Sequence, residues 1–236
     1  PANENPKYAR ARARAHLKGS GRAAPPADPI PSLADLVGDV IEAGVLKIAR
    51  QSLRAAPIAA TRALIGAACL CAGGTSRPPR SDRLDRLVEA LRGHDPVVTT
   101  LAGARIEADA TEVCWMRTLG EMGRQGQTGL DLAAGETGIW DGRLEITADR
   151  AVGLVPLGGK AGRLSWMARR TLMALPPAAR GSLPCLDDAG QIMAPGLEPV
   201  LGIKVTSLAL ARLHARCGRI NGEWDLGTSP GPGPEE

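Results

Sequence analysis

Phenylalanine is absent from this sequence, and tyrosine occurs once, at Tyr8. With four tryptophans, aromatic residues make up only 2% of the chain, so a core has to be filled by Ala, Leu, Val and Ile. No apolar run reaches about 18 residues without a charge, which leaves no membrane-spanning helix to assign. The basic start lacks the apolar segment that a secretory signal carries behind its charges. Cys69, Cys71, Cys114, Cys185 and Cys217 form no Cys-x-x-Cys pair. Their odd, scattered number argues against a disulfide framework and for a reducing compartment, the cytoplasm by default.

Reactive constellations are equally scarce. Gly73-Gly74 followed by Thr75 and Ser76 suggests a phosphate cradle, but a helix precedes it and no Lys follows. A helix C-cap explains the glycine pair better than a P-loop does. There is no Gly-x-Ser-x-Gly elbow. Asp187 and Asp188 are turn neighbours whose side chains diverge, and His94 sits beside Asp95-Pro96 in a loop. His214 and Cys217 lie three apart on an expected helix, which is too few ligands for a zinc site. Read residue by residue, the chain offers nothing to activate a water, bind ATP or hold a metal. That favours a binding part over a catalytic one.

What is present is a 236-residue chain, 44% hydrophobic, long enough for one large or two small domains. Helical periodicity runs from the N-cap candidate Ser32 through Leu33, Leu36, Val37, Val40, Ile41, Val45, Ile48 and Leu53 to about Ala56. Pro57 opens a second expected helix that Gly73 and Gly74 end. A third runs from Ser81 to Leu91, with Leu84, Leu87, Val88 and Leu91 on one face. After His94 the period becomes two. "VVTTLAGARIEAD" reads as strand, Gly turn and strand, and "EVCWMRTL" as a further strand. In "TGIWDGRLEITAD" the Asp141-Gly142 pair signals a two-residue hairpin. "AVGLVPLG" is a strand, and "AGRLSWMARRTLMAL" a helix with Leu164, Met167, Leu172 and Leu175 inward. Two short strands around Asp188–Gly190 and a helix near Ser207–Cys217 complete the order.

The expected class is α+β, with a helical linker unit followed by a smaller antiparallel-sheet unit. The expected divisions are 1–29 (basic segment and Pro-rich loop), 30–95 (helical), 96–220 (α+β) and 221–236 (a partly disordered tail).

The formal net charge is +4, and Arg far outnumbers Lys. Arg presents a planar fork of donors that suits phosphate. Two clusters stand out. Lys7, Arg10, Arg12, Arg14 and Lys18 form the first. Arg77, Arg80, Arg83 and Arg86, at steps of three, form the second, which makes a stripe running into a helix N-terminus. Such a stripe serves equally as a solvated face balanced by Asp82, Asp85 and Glu89, so a non-enzymatic interaction module with an incidental basic surface stands as the alternative.

The order of these pieces resembles the tRNA(Ile)-lysidine synthetases. At the end of that family's ATP-binding domain, an Asp-x-Ser-Asn stretch is followed by a Tyr, an Arg two residues on and another Arg four beyond. Asn3, Tyr8, Arg10 and Arg14 keep the spacing, with Ala2 in place of the Ser. "CAGGTSRPPRSDRLDRLVEAL" is similar to the family's helix, Pro-containing loop and Leu-x-Arg-Leu helix. "TTLAGARIE", "EVCWMR", "IWDGRLEI" and "VPLGG" resemble its later strands in an alphaproteobacterial-type form.

The resemblance implies an ATP- and Mg²⁺-dependent carbon–nitrogen ligase that adenylates the wobble cytidine of a CAU-anticodon tRNA(Ile) and joins lysine to it. The adenylating Ser-Gly-Gly-x-Asp-Ser loop of that family does not occur in these residues. The expectation is therefore a C-terminal portion that binds tRNA(Ile) and is inactive alone. ATP and L-lysine would be bound only by an N-terminal domain preceding Pro1. Asn3, Tyr8, Arg10, Arg14, Arg77, Arg80 and Arg83 are the implied tRNA contacts, and no catalytic or metal residue is assigned.

Overall fold

The computed structural model describes residues 30–188 and 190–218. The chain begins with α1 (Ile30–Ala34), β1 (Gly38–Asp39), β2 (Leu46–Ala49) and α2 (Arg50–Ala55), then the long α3 (Ile58–Ala72) and α4 (Ser81–Arg92). β3 (Val97–Leu101), β4 (Ala104–Ala108) and β5 (Glu112–Met116) follow as a meander. Next come α5 (Leu119–Arg124), β6 (Leu130–Leu132), β7 (Glu136–Trp140), β8 (Leu144–Ala148) and β9 (Val152–Pro156). A 3-10 segment at Gly158–Arg163 leads into α6 (Trp166–Leu172) and α7 (Pro177–Arg180). β10 (Pro184–Asp188), β11 (Gln191–Met193), β12 (Ile203–Ser207) and α8 (Ala209–Arg216) complete the order. The class is mixed α+β. Three antiparallel sheets have the orders β1-β2-β5-β4-β3, β11-β10-β9-β6 and β12-β8-β7.

The helix expected over residues 32–56 does not form. Its start, in α1, and its end, in α2, are helical, and β1 and β2 replace its middle. Of its β-branched residues only Ile48 lies in a strand, so the pairing of β2 with β5, and not local preference alone, sets the strands. Gly44 turns the chain at φ +72. The Asp39 carboxylate fastens this turn by accepting from the backbone N–H groups of Gly44 (3.2 Å) and Val45 (3.1 Å). Ser207 Oγ donates to the same carboxylate from β12. β2 then pairs with β5, Leu46 opposite Trp115 and Ile48 opposite Val113, so one sheet draws strands from both sides of residues 93–97.

Helices α3 and α4, the β3–β4 and β7–β8 hairpins and the β10–β11 pair match the expectation. The β7–β8 turn has three residues, not two, because Trp140 pairs with Leu144. Asp141 (φ +47) and Gly142 (φ +66) both take left-handed backbone there. In the expected helix over 161–175, Leu164, Leu172 and Leu175 are buried as expected. Met167 is not: it is 58% exposed, because the regular helix begins only at Trp166 and so turns residue 167 outward.

The shortage of aromatics is met by close packing of small residues. α3 buries Ala60, Ala68, Cys69 and Ala72 together with Leu64 and Ile65. Against it lie the first sheet and Leu84, Leu87 and Leu91 of α4. Trp115 and Trp140, both fully buried, are the two large plugs, one in the first core and one in the core of the three-stranded sheet.

Candidate nucleic-acid interface

The turn from α3 into α4 is built from a helix stop. The Thr75 N–H donates to Leu70 O (3.1 Å) and the Gly74 N–H to Cys71 O (3.4 Å), a 6→1 and 5→2 pair that satisfies the last carbonyls of α3. Gly74 holds φ +65 and presses on the β7–β8 turn. A Cβ there would sit 1.9 Å from Asp141 O. Thr75 Oγ1 then accepts from the Arg77 N–H at 3.2 Å, and Pro78-Pro79 stiffen the approach to α4.

This rigid lead-in displays the predicted arginines. Arg77, Arg80 and Arg83 are exposed, and none forms an ion pair with another described residue. Arg86, the fourth of the stripe, is different: its Nη2 lies 3.0 Å from Asp82 Oδ2, one helical turn back. Asp85 is occupied as well, by Arg62 Nε at 2.5 Å and by Ser81 Oγ at 3.2 Å. Arg62 first, then burial's smaller opposition and Ser81, leave the Asp85 carboxyl below the usual carboxylate range. The face of α4 opposite these charges is apolar and packed, which fixes the stripe outward.

Hollows flank the loop. A cavity of about 550 Å³ is lined by Thr75, Ser76, Arg212 and Arg216 over a floor of Leu70 and Cys71. Burial pushes the Cys71 thiol up to about 11 despite the two arginines, so it stays a neutral floor. Beyond Pro78-Pro79 a second hollow of about 370 Å³ shares Leu70 and Arg216 with the first and adds Arg62 and Ser81. Between α4 and β3 a groove of about 440 Å³ is lined by Arg83, Arg86, Thr99 and Thr100. Cations and hydroxyls along adjoining concavities suit a polyanion. Arg212 and Arg216 of α8 were not foreseen. They stand 135 or more positions from Arg77 in sequence and join it only through the packing of α8 on α3.

Several other arginines have a different use. Arg50 is fully buried and donates to Leu91 O (3.0 Å), Ala90 O (2.9 Å) and Asp109 O (2.6 Å), closing the C-terminus of α4. Arg92 does the same for α2 through Leu53 O and Ala56 O. At the centre, Arg117 grips Asp141 with two bonds, Nε to Oδ2 at 2.8 Å and Nη2 to Oδ1 at 3.0 Å, and reaches Gly103 O at 2.8 Å. Arg143 approaches the same carboxylate at 3.3 Å and Ser182 O at 3.3 Å. Burial pushes the Arg143 guanidinium down to about 10, still charged at neutral pH.

Asn3, Tyr8, Arg10 and Arg14 lie outside the described residues. Among the described residues there is no group of three or more His, Cys, Asp or Glu that could hold a metal ion. No helix among them is long and apolar enough to cross a membrane.

Comparison with known proteins adds one relative. A tRNA(Ile)-lysidine synthase of Caulobacter vibrioides is 40% identical over 232 residues. The chain is a partial-length relative of that synthase. The match covers 94% of this chain and 53% of the Caulobacter protein, so the chain spans about half the length of its curated relative. No family model matches, and no solved structure matches.

Proposed function

We propose that this chain is the C-terminal, tRNA-binding part of a tRNA(Ile)-lysidine synthase, the enzyme that ligates lysine to the wobble cytidine of CAU-anticodon tRNA(Ile) using ATP. Homology over nearly the whole chain supports the family. The observation that carries the binding role is the set of exposed arginines Arg77, Arg80 and Arg83, which form no ion pair with another described residue and stand on a loop anchored at Gly74 and the first turn of α4. A solvated face would be expected to neutralise its arginines locally, as Arg86 and Arg62 are neutralised. These three are available for phosphate. Asn3, Tyr8, Arg10 and Arg14 extend the proposed contacts by resemblance alone.

The described residues do not fit Mg²⁺ or the triphosphate of ATP: they bring together no carboxylate cluster, and the sequence holds no Ser-Gly-Gly-x-Asp-Ser loop. No step of adenylation or lysine transfer is therefore assigned to a residue here. The part played by this chain is positioning through the phosphate backbone, which orients an RNA without reading its sequence.

Filter binding of tRNA(Ile) to the 236-residue chain at several salt concentrations tests the reading. A protein neutralising phosphates loses affinity with a slope of roughly 0.7–0.9 in log–log units per contact. The triple variant Arg77→Ala, Arg80→Ala, Arg83→Ala is expected to lower the slope by about two to three units. A wild-type chain whose weak binding shows no salt dependence would overturn the proposal.

A further inference from the structure

A second charged surface lies far along the sequence from the first. Residues 150–186 contain Arg150, Lys160, Arg163, Arg169, Arg170 and Arg180 and not one Asp or Glu. Some of these cations have structural partners. Arg163 meets Asp187 at 3.3 Å, and Arg180 donates to Leu175 O at 3.0 Å. Arg169 and Arg170 are exposed and form no ion pair with a described residue.

The helix that carries them, α6, is turned in an unusual way. Ser165 caps it by accepting from the Ala168 N–H at 3.0 Å, and Ala168 and Leu172 face the core. The solvent face carries Trp166, Arg169, Arg170 and Met173, at i, i+3, i+4 and i+7. That spacing is one helical stripe, here made of apolar and cationic residues together. Trp166 and Met173 are each 66% exposed. The Arg170 guanidinium sits 5.6 Å from the centroid of the indole, which restrains the ring on its helix.

We propose that this stripe is a stacking platform for an unpaired base of an RNA strand. A flat indole beside two uncompensated guanidiniums offers a base a π-face and its flanking phosphates a counter-charge. A duplex buries the faces of its bases, so the ligand has to be single-stranded: a loop or an end. Charge favours RNA over a protein partner: residues 150–186 carry cations of one sign and no Asp or Glu, which suits a run of phosphates. Trp166 and Met173 alone also offer the stripe too little apolar area to hold a membrane surface. The proposal deepens the RNA-binding reading but uses different residues, so either can fail without the other.

The test compares a single-stranded 12-nucleotide oligouridylate with a blunt RNA duplex of the same length, both binding the 236-residue chain. Trp166→Ala is expected to weaken the single strand about tenfold, leave its salt slope unchanged and leave the duplex unaffected, whereas Trp166→Phe retains most of the affinity. Arg169→Ala with Arg170→Ala is expected to lower the slope by one to two units. Wild-type affinity of Trp166→Ala for the single strand overturns the platform, as does an equal loss on strand and duplex. A change in sedimentation of Trp166→Ala with RNA binding intact overturns it too, in favour of a second copy seated on the stripe. A loss of tRNA salt slope in the Arg77, Arg80, Arg83 variant together with an indifferent Trp166→Ala leaves the tRNA reading standing and removes this one.

Discussion

The loop leading into α4 and the turn between β7 and β8 touch at Gly74 and Asp141, yet they use arginine for opposite purposes. On the loop and the start of α4, Arg77, Arg80 and Arg83 project into solvent without an ion pair to another described residue. At the turn, Arg143 and, from the end of β5, Arg117 are fully buried around Asp141. The outer arginines cost the fold little and remain available to a ligand. The inner ones are committed: two guanidiniums and one carboxylate leave a net positive node that survives because Gly103 O, Ser182 O and the carboxylate take up the donors. An excess of arginine is thus not one property. Only the part that the fold leaves unpaired can answer to salt.

The largest expected effect comes from cutting the inner node. Arg117→Ala leaves Asp141 buried without its bidentate partner and is expected to cost about 3–5 kcal/mol. The urea midpoint measures it. A shift as small as that of a surface substitution would mean that the node is wetter than its burial indicates. Next is the contact that joins the two regions. Gly74→Ala forces a Cβ onto Asp141 O and strains a left-handed residue. It is expected to cost about 3 kcal/mol in the same measurement. While folded, the variant should keep the salt slope of tRNA binding, because the arginines themselves remain.

A Lys exchange separates the two roles more finely. Replacing Arg77, Arg80 and Arg83 by Lys keeps the point charges, so the salt slope is expected to stay within about half a unit of wild type. Arg117→Lys also keeps a charge but loses the fork that meets both oxygens of Asp141, and is expected to cost about 2 kcal/mol of stability. Equal tolerance at both places would collapse the distinction.

The sequence was most informative where structure is local. The stop at Gly73-Gly74, the apolar face of α4 and the left-handed turn at Asp141-Gly142 depend on a few neighbours, and each was readable. β1 and β2 were not. β2 owes its strand character to pairing with β5, nearly 70 residues away, and β1 to pairing with β2, while the spacing of the apolar residues in this segment also fits a helix. The buried arginines were invisible for a related reason: Arg counts as a surface residue until a carbonyl or carboxylate from elsewhere meets it. In the candidate interface, Arg77, Arg80 and Arg83 could be read from their spacing. Arg212 and Arg216 depend on α8 packing against α3, which no local pattern encodes.

The smallest expected effect tests whether pairing is what silences Arg62 and Arg86. Asp82→Asn and Asp85→Asn remove the two carboxylates that hold them. The released Arg86 lies one turn along α4 from Arg83, and the released Arg62 sits on α3 beside position 85, so each can then meet a phosphate in part. The salt slope of tRNA binding is expected to rise by less than one unit and the affinity at low salt by about threefold. Acid cannot substitute for the mutation. Because the Asp85 carboxyl is held below its ordinary 3.8, chiefly by Arg62, it stays charged throughout the pH range in which tRNA binding is measured, and its pairing is lost only as pH falls through that lowered value. The wild-type slope should therefore not move between pH 5 and 8 on account of this pair, while the double Asn variant differs from it at every pH. An unchanged slope in the double variant would place Arg62 and Arg86 away from the RNA and confine the interface to the loop.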